Sequence, residues 1–132
     1  MSAPESPERL EFAVPAVATS LAPVRLALRG WLLAAAVPAD VVEDLTIATN
    51  EAVANAIENG SCDPSATVRV RAVREVDRLA IEVIDSGCPR RQDGDDPRRG
   101  RGRGVAVMQA LTDSFRIEQS TTGTTVRLER VL

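Results

Sequence analysis

The chain has 132 residues, a net charge of −3 and three aromatic side chains, Phe12, Trp31 and Phe115. That length suits one domain around one aliphatic core. There is no His, and all sixteen cations are Arg, which excludes a histidine phospho-acceptor, His bases and metal ligands, Schiff-base lysines and the lysine of a Walker-type phosphate loop.

Residues 1–8 are polar and acidic and are expected to be a disordered tail ahead of a single domain over 9–132. Leu10-Glu11-Phe12-Ala13-Val14 alternates like a short strand and stops at Pro15. Ser20 is expected to cap a helix whose first turn accepts Pro23. Leu21, Val24, Leu28, Trp31 and Leu32 follow at helical spacing, and Pro38 breaks the run. Asp40 with Glu43 reads as a capping box for a second helix near 41–59, with Val41, Leu45, Ala48, Ala52 and Ala56 as its apolar stripe and Gly60 as its stop.

Thr67 to Val73 and Leu79 to Asp85 alternate as two strands joined at Glu75-Val76-Asp77. Residues 86–103 carry no apolar period and are expected to be a mobile loop rich in Arg. Gly104 to Asp113 regains helical periodicity through Val105, Met108 and Leu111. Strands near 114–119 and 124–131 finish the chain, turning at Thr122-Gly123. This order predicts an α+β fold of two layers, a mixed sheet covered by helices on one face.

Cys62 and Cys88 match no metal or redox pattern, and two cysteines make no disulfide framework. The N-terminus lacks a signal peptide's character, and the longest apolar stretch, Trp31 to Val37, is too short to span a bilayer. A soluble, cytoplasmic protein is expected, with no membrane contact. The acidic balance and the lack of interleaved aromatics argue against direct nucleic-acid binding.

Three features carry chemistry. Glu51, Asn55 and Asn59 stand at i, i+4 and i+8, each about 40° around the helix from the last, forming a polar edge beside the apolar stripe. A carboxylate and a carboxamide one turn apart suit a magnesium ion and an attacking hydroxyl, although a solvated helix face has the same pattern. Asp85 shares the core parity of Leu79, Ile81 and Val83, where a carboxylate is costly unless a donor such as an exocyclic amine meets it, although a strand-end Asp that caps the following loop has the same pattern. Gly87 behind it lets the backbone approach a ring. The third feature is Gly100-Arg101-Gly102-Arg103-Gly104 directly before a helix, where free N–H groups and the helix dipole favour phosphate, although a flexible linker has the same composition. Thr124 has the parity of Val126 and Leu128, on the side of Asp85.

Asn50-Glu51-Ala52-Val53-Ala54-Asn55-Ala56-Ile57, Asp85-Ser86-Gly87, Gly102-Arg103-Gly104 and Gly123-Thr124-Thr125-Val126 together resemble the N, G1 and G2 boxes and the terminal Gly-Thr motif of the histidine-kinase-like ATPases. The small size and paired N-terminal helices resemble their anti-sigma-factor serine kinase branch. The resemblance implies a Bergerat-type ATP-binding fold with ATP and Mg2+ as cofactors. It implies that Asn55 holds magnesium, that Glu51 orients or deprotonates a substrate serine, and that Asp85 with Thr124 binds adenine. Gly102 and Gly104 would line the triphosphate, with Asn59, Gly87, Arg99 and Arg101 completing the nucleotide contacts. The implied partners are a sigma factor, an anti-anti-sigma protein of STAS type and a second copy of the chain.

Departures from the family pattern fall near the loop. Asn59 replaces a common His, Pro89 replaces the second Gly of DxGxG, and Gly100 replaces a common Arg. A nucleotide-gated module that sequesters a regulator without efficient turnover is therefore the second reading. A sensor histidine kinase fragment is disfavoured by the absence of a His-bearing dimerisation helix.

Overall fold

The computed structural model describes residues 8–60, 63–86 and 102–132. In chain order the elements are β1 (Arg9–Pro15), α1 (Leu21–Ala34), α2 (Ala39–Gly60), β2 (Thr67–Arg74), β3 (Arg78–Asp85), α3 (Gly102–Leu111), β4 (Ser114–Ser120) and β5 (Gly123–Val131). The five strands form one sheet in the order β1-β2-β3-β5-β4.

Alternation along each strand decides which face is covered. Val68, Val70 and Ala72, then Leu79, Ile81 and Val83, then Val126 and Leu128, are all buried. They share the helix-covered side, where Leu28, Leu32, Leu45, Ala48, Ala52, Val53 and Met108 meet them. The opposite face carries ion pairs along and across neighbouring strands. Arg71 lies 3.7 Å from Glu82, and Arg127 lies 3.0 Å from Glu82 and 2.9 Å from Glu129. The hydrogen bond to Glu129, more than that to Glu82, lifts the Arg127 guanidinium above its ordinary range against the cost of desolvation. Exposed pairs of this kind contribute little stability each, and they keep this face wet. The two-layer α+β arrangement is as expected.

One detail of the expected sheet is corrected. All four pairings are antiparallel, so the sheet is not mixed. β3 and β4 do run in the same direction, as a helical crossover through α3 requires. β5 turns back at Thr122-Gly123 and lies between them, so the two parallel strands never become neighbours.

The capping signals at the two N-terminal helices are only partly met. The Ser20 hydroxyl donates to the Pro15 carbonyl at 2.7 Å and makes no cap bond to α1, because the strand end offers a nearer acceptor. α2 begins at Ala39, so Asp40 lies inside its first turn, where a negative charge still suits the helix dipole. Glu43 pairs with Arg29 of α1 and does not close a capping box.

α1 ends before Pro38 does any work. Val37 N–H bonds Leu32 O at 3.2 Å and Ala36 N–H bonds Leu33 O at 3.1 Å, a Schellman closure. Ala36 holds φ at 62°, a conformation that glycine adopts at no steric cost. Replacing Ala36 by glycine should therefore raise stability by up to about 1 kcal/mol, read as a higher melting temperature. A lower melting temperature would show that the left-handed alanine is not strained.

Candidate functional site

The topology gathers the candidate residues at one end of the sheet. Six residues separate the end of α2 from the start of β2, whose Val68 pairs with Asp85 at the end of β3. Asp85 in turn pairs with Thr124 at the start of β5. The C-terminal half of α2, which carries Glu51, Asn55 and Asn59, thus lies toward the Asp85 end.

α3 runs back along α2, so its first turn lies at that same end. A Cβ placed on Gly104 would come within 3.0 Å of Glu51 Oε1, 3.3 Å of Asn55 Nδ2 and 3.8 Å of Asn55 Oδ1. Both side chains therefore converge on the bare backbone of α3's first turn, whose N–H groups lack helical partners. Glycine makes this approach possible. Any larger residue would have to push the carboxylate and carboxamide aside. Gly102 is the first residue of the same helix.

Asn55 is 9% exposed, and its Nδ2 meets no acceptor among the described residues. Leaving a buried amide donor unmet costs roughly 1–3 kcal/mol. An external oxygen reaching that N–H offsets the cost, and phosphate supplies one with a charge that the helix terminus also favours. The donor set thus fits a nucleotide phosphate. A carboxamide oxygen beside a carboxylate equally fits a hard divalent cation such as magnesium.

Asn59 Nδ2 donates one N–H to the Asn55 carbonyl at 2.7 Å, which leaves its second N–H and its oxygen able to meet a ligand. Asp85 and Thr124 are 6% and 8% exposed, and cross-strand pairing sets them side by side on the helix-facing side. This agrees with the expectation from strand parity. Gly123 makes their closeness possible: a Cβ there would overlap the Asp85 carbonyl oxygen at 2.0 Å. Gly87, Arg99 and Arg101, together with the expected mobile segment around them, lie outside the described residues.

Sequence reasoning missed one charged cluster. Arg130 continues the buried parity of Thr124, Val126 and Leu128, and it reaches Asp44 of α2 and the Leu111 carbonyl of α3, both at 2.9 Å. The signal was present: a charge at a core-parity position, the same argument that singled out Asp85.

The fold and site define a class first: an α+β layer in which buried polar groups converge on a glycine-opened helix terminus, an arrangement whose chemistry suits an anionic ligand. Comparison with known proteins narrows it. The family description "Histidine kinase-like ATPase domain" matches residues 14–130. The chain belongs to that family, and the expected likeness to its anti-sigma-factor kinase branch stands. Among solved structures, the RsbU and RsbW domains of Rv1364c from Mycobacterium tuberculosis match with a TM-score of 0.75 and 26% identity, over 93% of this chain and 32% of that one. The chain therefore spans about a third of that protein's length. The SiaB–SiaC complex from Pseudomonas aeruginosa matches with a TM-score of 0.62 and 12% identity, covering 93% and 88%. The histidine kinase domain of the blue-light activated kinase EL346 from Erythrobacter litoralis gives 0.57 and 20%, covering 89% and 65%. The last two show the shared fold.

Proposed function

We propose that residues 9–132 act as one ATP-binding unit that phosphorylates a serine or threonine of a STAS-type anti-anti-sigma protein and sequesters a sigma factor as a homodimer in the cytoplasm. The observation that carries this reading is the convergence of Glu51 and Asn55 on Gly104 at the start of α3. Family membership supports nucleotide use, and the likeness to an RsbW domain supports the regulatory setting. SiaB, of the same fold, was solved in complex with another protein. No helix among the described residues is long and apolar enough to cross a membrane.

Each residue then has a role. Asp85 accepts from the adenine amine, and the Thr124 hydroxyl supports the same contact. Gly102 and Gly104 leave backbone N–H groups open to the phosphates, with Gly87, Arg99 and Arg101 completing the nucleotide contacts. Asn55 holds magnesium through its carboxamide oxygen, and Asn59 presents its own oxygen one turn further on. Held there, magnesium would supply positive charge to offset the negative charge developing on the phosphates. Glu51 orients the incoming hydroxyl and takes its proton, the contribution expected of a positioned base.

A nucleotide-gated binding module remains the second reading, favoured by Asn59. One N–H of its amide is committed to the Asn55 carbonyl, at a position where the family commonly has His.

The nucleotide assignment is tested by calorimetry with ATP and magnesium on the wild type and Asp85→Asn. The substitution turns an acceptor into a donor-bearing amide facing the adenine amine. Affinity should fall at least tenfold, about 1.4 kcal/mol. Equal affinities would remove Asp85 from the site.

A further inference from the structure

Arg130 occupies a place where the core would accept a leucine or methionine. Its side chain is 21% exposed, and it sits at the end of a strand face that is otherwise Thr124, Val126 and Leu128. Removing a guanidinium from water is costly, and filling such a position with a well-packed apolar residue is often neutral or stabilising. The charge needs a reason other than stability, and its partners suggest one.

One nitrogen of Arg130, Nη1, donates both to Asp44 Oδ2 and to the Leu111 carbonyl, each at 2.9 Å. Its Nε lies 3.9 Å from Asp113 Oδ2. The same Asp113 carboxylate accepts the Val131 N–H at 2.7 Å. Leu111 is the last residue of α3, where a cation meets orphan carbonyls and the negative end of the helix dipole. Asp44 is on α2, so Arg130 ties the C-terminal end of α3 to α2 and to β5 at once.

The other end of α3 carries Gly104, against Glu51 and Asn55 of the same α2. Gly104 and Leu111 are seven residues apart, about 10 Å of rigid helix. α3 is therefore a short rod, fixed by Arg130 at one end and presenting its first turn to the candidate site at the other. Any swing at the clamp reaches the gap above Gly104. That gap is narrow enough for a displacement of about 1 Å to misplace the groups that meet there.

We infer that Arg130, with Asp44, is a positioning residue that holds α3 along α2 and thereby sets the geometry of Gly104, Glu51 and Asn55. Its consequence for nucleotide affinity rests on the nucleotide-binding reading above; the clamp itself does not.

The test uses the full chain as wild type, Arg130→Met, Arg130→Lys and Asp44→Asn, at a temperature where circular dichroism shows all four folded. Two quantities are read. The first is hydrogen exchange at Val105–Met108 without nucleotide, relative to the amides of β2 and β3. The second is the calorimetric Kd for ATP with magnesium. Arg130→Met and Asp44→Asn should each speed exchange in α3 about tenfold and raise Kd about tenfold. Arg130→Lys should recover part of both, since it keeps the charge without the planar fork. Adding Gly104→Ala to Arg130→Met should cost less affinity than Gly104→Ala alone, because both act on one gap. Unchanged exchange in α3 would overturn the clamp. Faster exchange with unchanged Kd would reduce Arg130 to a structural residue and overturn the positioning role. A wild type that binds no nucleotide would sink the nucleotide reading instead, and the exchange result alone would then decide the clamp.

Discussion

Replacing Glu51 by alanine is expected to cut phosphate transfer to the protein partner by about 100- to 10,000-fold, the usual contribution of a positioned general base. ATP affinity should change little, because the proposed adenine and phosphate contacts are Asp85, Thr124 and the start of α3. The separation of these effects is the informative part. Glu51 Oε1 lies 3.0 Å from the point where a Cβ on Gly104 would stand, so alanine opens space there without disturbing the backbone N–H groups. The proposed sequestration of a sigma factor should survive, since Glu51 is assigned to the chemistry and not to that surface. Transfer assays and calorimetry on the same preparation decide the matter. Wild-type transfer rates in the alanine variant would take Glu51 out of the chemistry, whereas loss of ATP binding would make it a structural residue.

The second large effect is expected at Gly123. Its φ of +149° is one that side chains rarely adopt, and a Cβ would stand 2.0 Å from the Asp85 carbonyl oxygen. Neither atom belongs to a flexible side chain that can move away. Gly123→Ala should therefore destabilise the fold by about 3 kcal/mol or more, and melting should fall by roughly 10 °C. Relief of the overlap must separate β5 from β3 where Thr124 pairs with Asp85, so nucleotide affinity should fall as well. A variant melting within a degree of wild type would show that the close approach is not maintained in solution.

These residues also show what was legible in advance. Glu51, Asn55 and Asn59 could be grouped because helical spacing is a local property, and Asp85 and Thr124 because strand parity is. The long-range order of strands is not local. A helix between two strands suggests a parallel neighbour, and nothing in the residues of β5 announces that it will lie between β3 and β4. The start of α3 was placed two residues late, at Gly104, since glycine is a poor helix former and packing against α2 overrides that preference. Ser20 has a capping residue's chemistry, yet the carbonyl that took its hydroxyl belongs to Pro15, which is seen only once β1 and α1 are folded together. Arg130 was overlooked because its partners, Asp44 and Leu111, are far away in the chain.

Phosphate leaving ATP for a protein hydroxyl is the central step of the proposed function. The direct measurement is transfer of label from γ-labelled ATP to a STAS-type protein, with magnesium present and after chelation. The account predicts label on a serine or threonine of that protein, dependent on magnesium and lost in Glu51→Ala. ATP that binds with magnesium but leaves every candidate partner unlabelled, while a sigma factor is still held, would contradict the kinase and leave the nucleotide-gated binding module in its place.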